Sequence, residues 1–248
     1  MAVTIKSQSA NPRKNVLFFL LSDMGRYIVY SLPPIQIYST QCQSASNVDQ
    51  SICDENDPLT EVGKRQAERL GNDWKDVHID GLYSSTLDRA YDTACQIRTQ
   101  NPASPEVIKS PLLVERKMGQ EVIELGRAGH SESAGILYTG IGRYQSGPTP
   151  RGYRPPRGGE SPNDVAERAK VSLVRLLTIH GVDLEEPPKE FVDKVTIDSP
   201  NILPEGIPHV VLVSHNVFLS ELYETMLGWN TYYRMTDIDY SNADWWAI

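Results

Sequence analysis

Cysteine is scarce in this chain. Cys42, Cys53 and Cys95 make an odd set of three, with no Cys-x-x-Cys pair and no spacing to histidine that would suit zinc. A disulfide framework is therefore excluded, a structural metal site is not expected, and the cysteines read as thiols in a reducing compartment. Positive charge is also short: 24 Lys and Arg face 32 Asp and Glu, a formal charge of −8. A general nucleic-acid surface or an anionic membrane surface would need a basic face, so neither is expected as a partner. A small anionic metabolite stays open, because a few local cations can outweigh the average. Long apolar runs are missing too. Residues 16–21, VLFFLL, follow Arg13 and Lys14, but the run is too short for a membrane span or the core of a secretory signal. The expectation is a soluble, cytoplasmic protein.

What is present is ordinary globular material: 248 residues, 40% hydrophobic and 23% charged, enough for one large α/β domain or two small ones. Residues 1–34 carry an apolar burst, a Tyr/Ile-rich piece and Pro33-Pro34, with no helical stripe or strand-turn pattern that extends. They are set apart as an atypical N-terminal segment, peripheral or poorly ordered. Residues 35–248 then form one domain.

Within that domain a short strand is expected over residues 35–38. Thr60 reads as an N-cap opening a helix that buries Val62, Ala67, Leu70 and Trp74. A strand over 81–85 leads into a helix over 86–100, and Leu112 to Val114 reads as a further strand. Residues 126–159, rich in Gly, Pro, Ser and Arg, read as a long surface excursion. Ser161-Pro162 with Asp164 starts a helix to about Ile179. Residues 181–206 read as a loop or insertion. HVVLV, residues 209–213, has the continuous apolar character of a strand buried on both faces, and a helix over 217–227 follows. Strands separated by helices indicate an α/β fold: three layers, a mostly parallel central sheet with helices on both faces.

Ligands bind such sheets at the carboxyl ends of strands. Four polar stretches fall there: 40–47, 84–89, Glu115, and Ser214-His215. A histidine between a buried strand and a helix N-terminus sits beside N–H groups that favour an anion; alternatively it only caps the strand. Arg89 lies early in its helix, where its guanidinium could hold a phosphate in bidentate fashion, or could be solvated. Glu115 could protonate a leaving oxygen, or be a surface glutamate.

DPLTEVGKRQAERLG (57–71), LYSSTLDRAYDTA (82–94), LLVERKMG (112–119), GGESPNDVAERA (158–169), HVVLVSHN (209–216) and YSNADWW (240–246) occur in this order. Together they resemble the histidine phosphatase superfamily, the phosphoglycerate mutase-like proteins. The resemblance implies the phosphoglycerate mutase-like fold. It also implies a phosphoenzyme mechanism in which a histidine of an Arg-His-Gly motif attacks phosphorus and a carboxylic acid protonates the leaving group. By the same resemblance Arg89 is a phosphate-binding arginine, Glu115 the proton donor and His215 the second histidine. Asn47 is a phosphate contact, and Asn216 stands where a glycine or alanine is usual. No metal or organic cofactor is implied.

The nucleophile motif departs from the family. Counting back from Gln43 places Thr40 at the arginine, Gln41 at the nucleophilic histidine and Cys42 at the glycine. Glutamine cannot form a phosphoenzyme. Cys42 is a nucleophile in principle, but no arginine follows it at the spacing of a cysteine phosphatase loop. His78, His130, His180 and His209 are not at matching positions.

Three readings follow. The chain is a phosphatase or phosphomutase of a small phosphorylated metabolite, impaired as written, or written from a mis-spliced gene start that altered residues 1–40. It is a non-catalytic binder of a phosphorylated or carboxylated ligand or of a protein partner. Or it keeps the fold and uses Glu115 and His215 as an acid/base pair in an isomerase or hydrolase. The excursion 126–159, with Arg127, Arg143, Arg151, Arg154 and Arg157, is expected to form a lid, with one or two of these arginines on the anion. A homo-oligomer is allowed but not legible.

Overall fold

The computed structural model describes residues 14–15, 17–22, 26–29, 36–39, 42–45, 57–142, 149–183 and 208–226. In chain order the strands and helices are β1 (Lys14–Asn15), β2 (Leu17–Ser22), β3 (Arg26–Val29), β4 (Gln36–Ser39), α1 (Glu61–Asp73), β5 (Gly81–Ser85), α2 (Asp88–Gln100), β6 (Val107–Ser110), α3 (Gln120–Arg127), α4 (Ser131–Thr139), α5 (Pro162–His180), β7 (Val182–Asp183), β8 (His209–Ser214) and α6 (Asn216–Met226).

Six strands form one sheet in the order β4-β3-β2-β8-β5-β6, and β1 pairs with β7 separately. The four strands from β2 to β6 are parallel, with β8 between β2 and β5. The edge ribbon of β3 and β4 is antiparallel. Strand β8 is buried along its whole length, as a central parallel strand with both faces covered must be. On one face Tyr83, Val210 and Leu212 pack against Val165, Leu173 and Leu176 of α5 and Phe218 and Leu222 of α6. The opposite face carries Leu82, Val211 and Val213 by alternation. It is covered by α2, whose Ala90, Ala94 and Ile97 are buried, and α1 packs on α2. These are the three layers expected of the sequence.

Local chemistry explains the helix starts. Thr60 caps α1, its Oγ1 accepting from the Gly63 N–H. Ser161 and Asp164 form a reciprocal capping box at α5, with Pro162 in the first turn. Ala67, Leu70 and Trp74 are buried as expected, but Val62 is 42% exposed, because α1 packs on α2 with the stripe one step round from it.

Three expectations change. Residues 112–114 are not a strand: the strand is β6, and Pro111–Leu113 form a 3-10 turn, capped by the Ser110 hydroxyl accepting from the Leu112 N–H at 3.3 Å. The strand near residue 35 is β4 at the sheet edge, and one of the two parallel neighbours of β8 is β2, which comes from the segment set apart as peripheral. The excursion 126–159 is partly helical. It contains α4, closed by Gly140 in the left-handed conformation at φ 69°, and Tyr153 donates its hydroxyl to the Leu137 carbonyl at 2.6 Å.

Candidate active site

Parallel pairing brings the carboxyl ends of β2, β8 and β5 together: Ser22 stands across from Ser214, and Ser84 across from Val213. At the end of β5 the chain turns into α2, and the fully buried Ser85 hydroxyl accepts from the Leu87 N–H at 3.2 Å. That turn sets Arg89 in the first turn of α2. His215 links β8 to α6 with only 1% of its surface exposed.

Arg89 and His215 meet there. The guanidinium donates to Asp57 Oδ1 at 2.8 Å and lies 3.3 Å from His215 Nδ1. Arginine has only donors, so Nδ1 accepts and carries no proton. The proton of the neutral ring then sits on Nε2, which donates to the Ser85 hydroxyl at 2.8 Å. Asp57, 2% exposed, is a buried carboxylate held by the guanidinium, which is what a buried charge requires.

Glu115 is tied to the helix that follows His215. Its Oε1 accepts from the Arg116 N–H at 2.7 Å, and its Oε2 accepts from the Val217 N–H at 3.2 Å. Val217 lies in the first turn of α6, two residues after His215, so the carboxyl group is set against the free N–H end of that helix. Asn216, next to His215, has a buried Oδ1 with no hydrogen-bond partner among the described residues.

The 42–45 loop is pinned beside Asp57 by α1. Ala45 N–H donates to the Pro58 carbonyl at 3.0 Å, Thr60 N–H to the Gln43 carbonyl at 2.9 Å, and Gln43 N–H to Gln66 Oε1 at 2.7 Å. Cys42 is fully buried with Leu59 and Ala67, so its thiol is packed into the core. Thr40, Gln41 and Asn47 lie outside the described residues, and so does any convergence of Gln41 with Arg89, Glu115 and His215.

Of the residues expected from the sequence, Arg89 meets His215, and Glu115 is bonded to the first turn of the helix that Asn216 opens, while three of the lid arginines pair elsewhere. Arg151 donates to both oxygens of Glu221 at 2.5 and 2.9 Å, Arg154 to both oxygens of Asp164 at 2.6 Å each, and Arg157 pairs with Glu124. These three are held by protein carboxylates, so the one or two lid arginines expected on the anion are not found among them; Arg127 ends α3, and Arg143 lies outside the described residues. His209 opens β8, at the opposite end of the strand from His215. His180 bonds to the Tyr83 hydroxyl at 2.7 Å. His130 is exposed at the start of α4.

Sequence reasoning missed Asp57 and Arg168. Asp57 begins the DPLTE stretch, where an acid ahead of a proline and a capping threonine looks like simple turn chemistry. Arg168 sits mid-helix in α5, where arginine is usually solvated; only the structure shows that it points inward. Among the described residues no three His, Cys, Asp or Glu side chains gather as a metal would require, and no helix is long and apolar enough to cross a membrane.

Comparison with known proteins gives the family and the fold. A family model of the histidine phosphatase superfamily (branch 1) matches residues 42–183. Zebrafish (Danio rerio) fructose-2,6-bisphosphatase TIGAR B is 32% identical over 65% of this chain and 62% of its own length. The Xenopus tropicalis fructose-2,6-bisphosphatase TIGAR is 29% identical over 46% of this chain and 38% of its own. The chain therefore matches less than two thirds of either relative. Among solved structures, a mycobacterial glucosyl-3-phosphoglycerate phosphatase superposes with a TM-score of 0.51 at 19% identity, covering 89% of this chain and 82% of its own. YhfR of Bacillus stearothermophilus gives 0.53 at 21% identity, covering 85% and 79%. At such identities the structures show the fold alone. The family model spans more than half of the chain, beginning at the residue where the pinned loop begins, and the chain belongs to the histidine phosphatase superfamily.

Proposed function

We propose that this chain binds the phosphate of a small phosphorylated metabolite as a phosphoglycerate mutase-like phosphatase or phosphomutase, and that Thr40-Gln41-Cys42 leaves its chemical step impaired. The observation that carries this reading is the Arg89 guanidinium, held by Asp57 and facing His215 at the carboxyl end of the sheet. The 3.3 Å bond to Nδ1 is long enough to be given up to a phosphate oxygen, while the Asp57 bond keeps the guanidinium aimed. His215, relieved of that donor, can take a proton at Nδ1 and become a second donor to the anion. Glu115, against the first turn of α6, is the carboxyl group placed to protonate a leaving oxygen. With glutamine at position 41 no side chain at that position can attack phosphorus.

The test is calorimetry with inorganic phosphate and a panel of sugar phosphates, fructose 2,6-bisphosphate first because of the relatives' names, together with phosphate release. Binding that weakens at least tenfold in Arg89→Ala, with little turnover, is the expected result. A wild type that binds no phosphate overturns the reading. Ready hydrolysis of p-nitrophenyl phosphate would show that the chemical step is intact. Conversion of an unphosphorylated metabolite lost in Glu115→Gln would favour the acid/base isomerase reading instead.

A second reading concerns where the chemical step went. The family match takes hold at residue 42, while the central strand that flanks β8 ends at Ser22. Both flanks of residues 23–41 attach to the same end of the sheet: Ser22 beside Ser214, and the 42–45 loop beside Pro58 and, through Asp57 and Arg89, beside His215. The intervening β3 and β4 only extend the edge. Residues 23–41 thus read as an insert between a core strand and its functional loop. Transcript sequencing decides: a message that joins the β2 region to Gln43 through a histidine codon supports the insert, and messages encoding only STQCQS remove it.

A further inference from the structure

Arg168 makes five side-chain hydrogen bonds, yet the binding of phosphate proposed above makes no use of it. It lies on α5 with its side chain 16% exposed. Its Nη1 donates to the carbonyls of Leu112 and Val114 at 2.9 and 3.0 Å, and its Nη2 to the carbonyl of Glu115 at 3.3 Å. Nε and Nη2 also grip the Glu160 carboxylate at 3.0 and 2.8 Å, so the guanidinium is a fixed fork. Its carbon lies 5.5 Å from the ring centroid of Phe218, on the helix that carries the Val217 N–H. Glu160 completes the grip. Its Oε2 accepts from the Lys117 N–H at 3.1 Å, and its own carbonyl accepts from Arg116 Nε at 2.7 Å.

The segment that bears Glu115 is thus neither helix nor strand, and its carbonyls need donors from elsewhere. Arg168 supplies three of them, on the two residues before Glu115 that it reaches and on Glu115 itself. We infer that Arg168 is a positioning residue that sets Glu115 against the N-terminus of α6. This assignment rests on the reading of Glu115 as the proton donor. The bond that depends on it is the one across 102 residues of chain, from the Val217 N–H to Glu115 Oε2. The bond from the neighbouring Arg116 N–H is local and survives a shift of the segment. Lysine cannot replace Arg168, because one ammonium cannot span three carbonyls and a carboxylate.

Amide NMR on the full chain tests this without requiring turnover. In wild type the Val217 and Arg116 amides both follow the ionisation of Glu115, and Glu115→Gln flattens both responses. In Arg168→Gln the Val217 response falls by half or more while that of Arg116 persists; Arg168→Lys behaves similarly. If Arg168→Gln does not fold, Glu160→Gln, which unpins the same guanidinium, serves in its place with the same expectation. A folded variant in which Val217 responds as in wild type overturns the assignment, as does a wild-type Val217 amide indifferent to Glu115→Gln. A parallel assay addresses the catalytic reading. Where the chain turns over, Arg168→Gln lowers hydrolysis of glycerol 2-phosphate, whose leaving group needs a proton, at least tenfold more than that of p-nitrophenyl phosphate. Equal losses on both substrates, with the NMR effect present, would retire Glu115 as the proton donor and leave the positioning intact.

Discussion

The Arg89 guanidinium faces Nδ1 of His215 at 3.3 Å, joining two residues 126 apart in sequence at the carboxyl ends of adjacent strands. This contact fixes the neutral ring with its proton on Nε2, toward Ser85. A phosphate that takes the guanidinium also frees Nδ1. Long-range ¹H–¹⁵N spectra of the His215 ring are therefore expected to move from the Nε2–H tautomer to the doubly protonated ring on addition of inorganic phosphate. Arg89→Ala abolishes the response. A ring that keeps its tautomer at saturating phosphate contradicts the arrangement.

Asp57 separates buried from exposed electrostatics. Its carboxylate is 2% exposed and its partner Arg89 13%, whereas the Glu167–Lys170 pair is 71% and 57% exposed. Breaking a buried pair leaves an uncompensated charge and costs about 3 kcal/mol, while an exposed pair contributes roughly 0–1 kcal/mol and is screened by salt. Urea unfolding should show Asp57→Asn losing at least ~2 kcal/mol and Glu167→Gln losing less than ~0.5 kcal/mol. Comparable losses would mean that Asp57 is not the charge that holds Arg89.

Glu224 makes stability depend on pH. It is 7% exposed on α6, one turn from Glu221, whose carboxylate is taken by Arg151. Burial, reinforced by the Glu221 charge and partly offset by Arg151, pushes its carboxyl up to about 7 from the ordinary 4.5. Between those values the folded chain binds more protons than the unfolded one, so stability falls as pH rises through the window. At about 1.4 kcal/mol per unit, with some discount for partial solvation, the loss is on the order of 2 kcal/mol. Glu224→Gln removes that slope and leaves the variant more stable than wild type at pH 8. Parallel unfolding curves for the two proteins from pH 5 to pH 8 would refute the shift.

Much of the fold was legible because its signals are local. Ser161-Pro162-x-Asp164 contains the whole capping box, and VVLV (210–213) has no polar residue to leave a strand face open, so α5 and β8 stand where their sequences put them. Leu112 to Val114 misled because an apolar triplet does not distinguish a strand from a turn, and the deciding features, Pro111 and the capping Ser110, precede it. β2 was missed because VLFFLL has the continuous character of a buried parallel strand, but its partner β8 lies some 190 residues away and no alternation marks it. In the site, Arg89 and His215 were readable from their places after strands. Asp57 and Arg168 were not, because their roles depend on partners 32 and more than 50 residues away. The partners of three lid arginines were hidden for the same reason: Glu124, Asp164 and Glu221, which hold Arg157, Arg154 and Arg151, lie outside the stretch where only arginines were conspicuous.

Gly63 ties the 42–45 loop to α1 and gives the last prediction. Thr60 Oγ1 accepts from the Gly63 N–H at 3.1 Å and also lies within reach of Gln43, 3.1 Å from its carbonyl and 2.9 Å from its Oε1. The helix can come this close only because position 63 has no side chain: a Cβ there would run into the Gln43 carbonyl. Since that contact is with backbone, no side chain can swing away to relieve it, and the loop itself must move. In an open helical site, glycine to alanine gains up to about 1 kcal/mol; here overpacking reverses the sign and costs about 1–3 kcal/mol. Gly63→Ala is expected to lower the melting temperature and to weaken phosphate binding, because the displaced loop adjoins Asp57 and so the aim of Arg89. Gly129→Ala is no control for this, since its φ of 78° is strained for any other residue; Gly135→Ala, in α4 with open space around its Cβ position, is. Equal or greater stability in Gly63→Ala than in Gly135→Ala would show that the loop does not lie against α1.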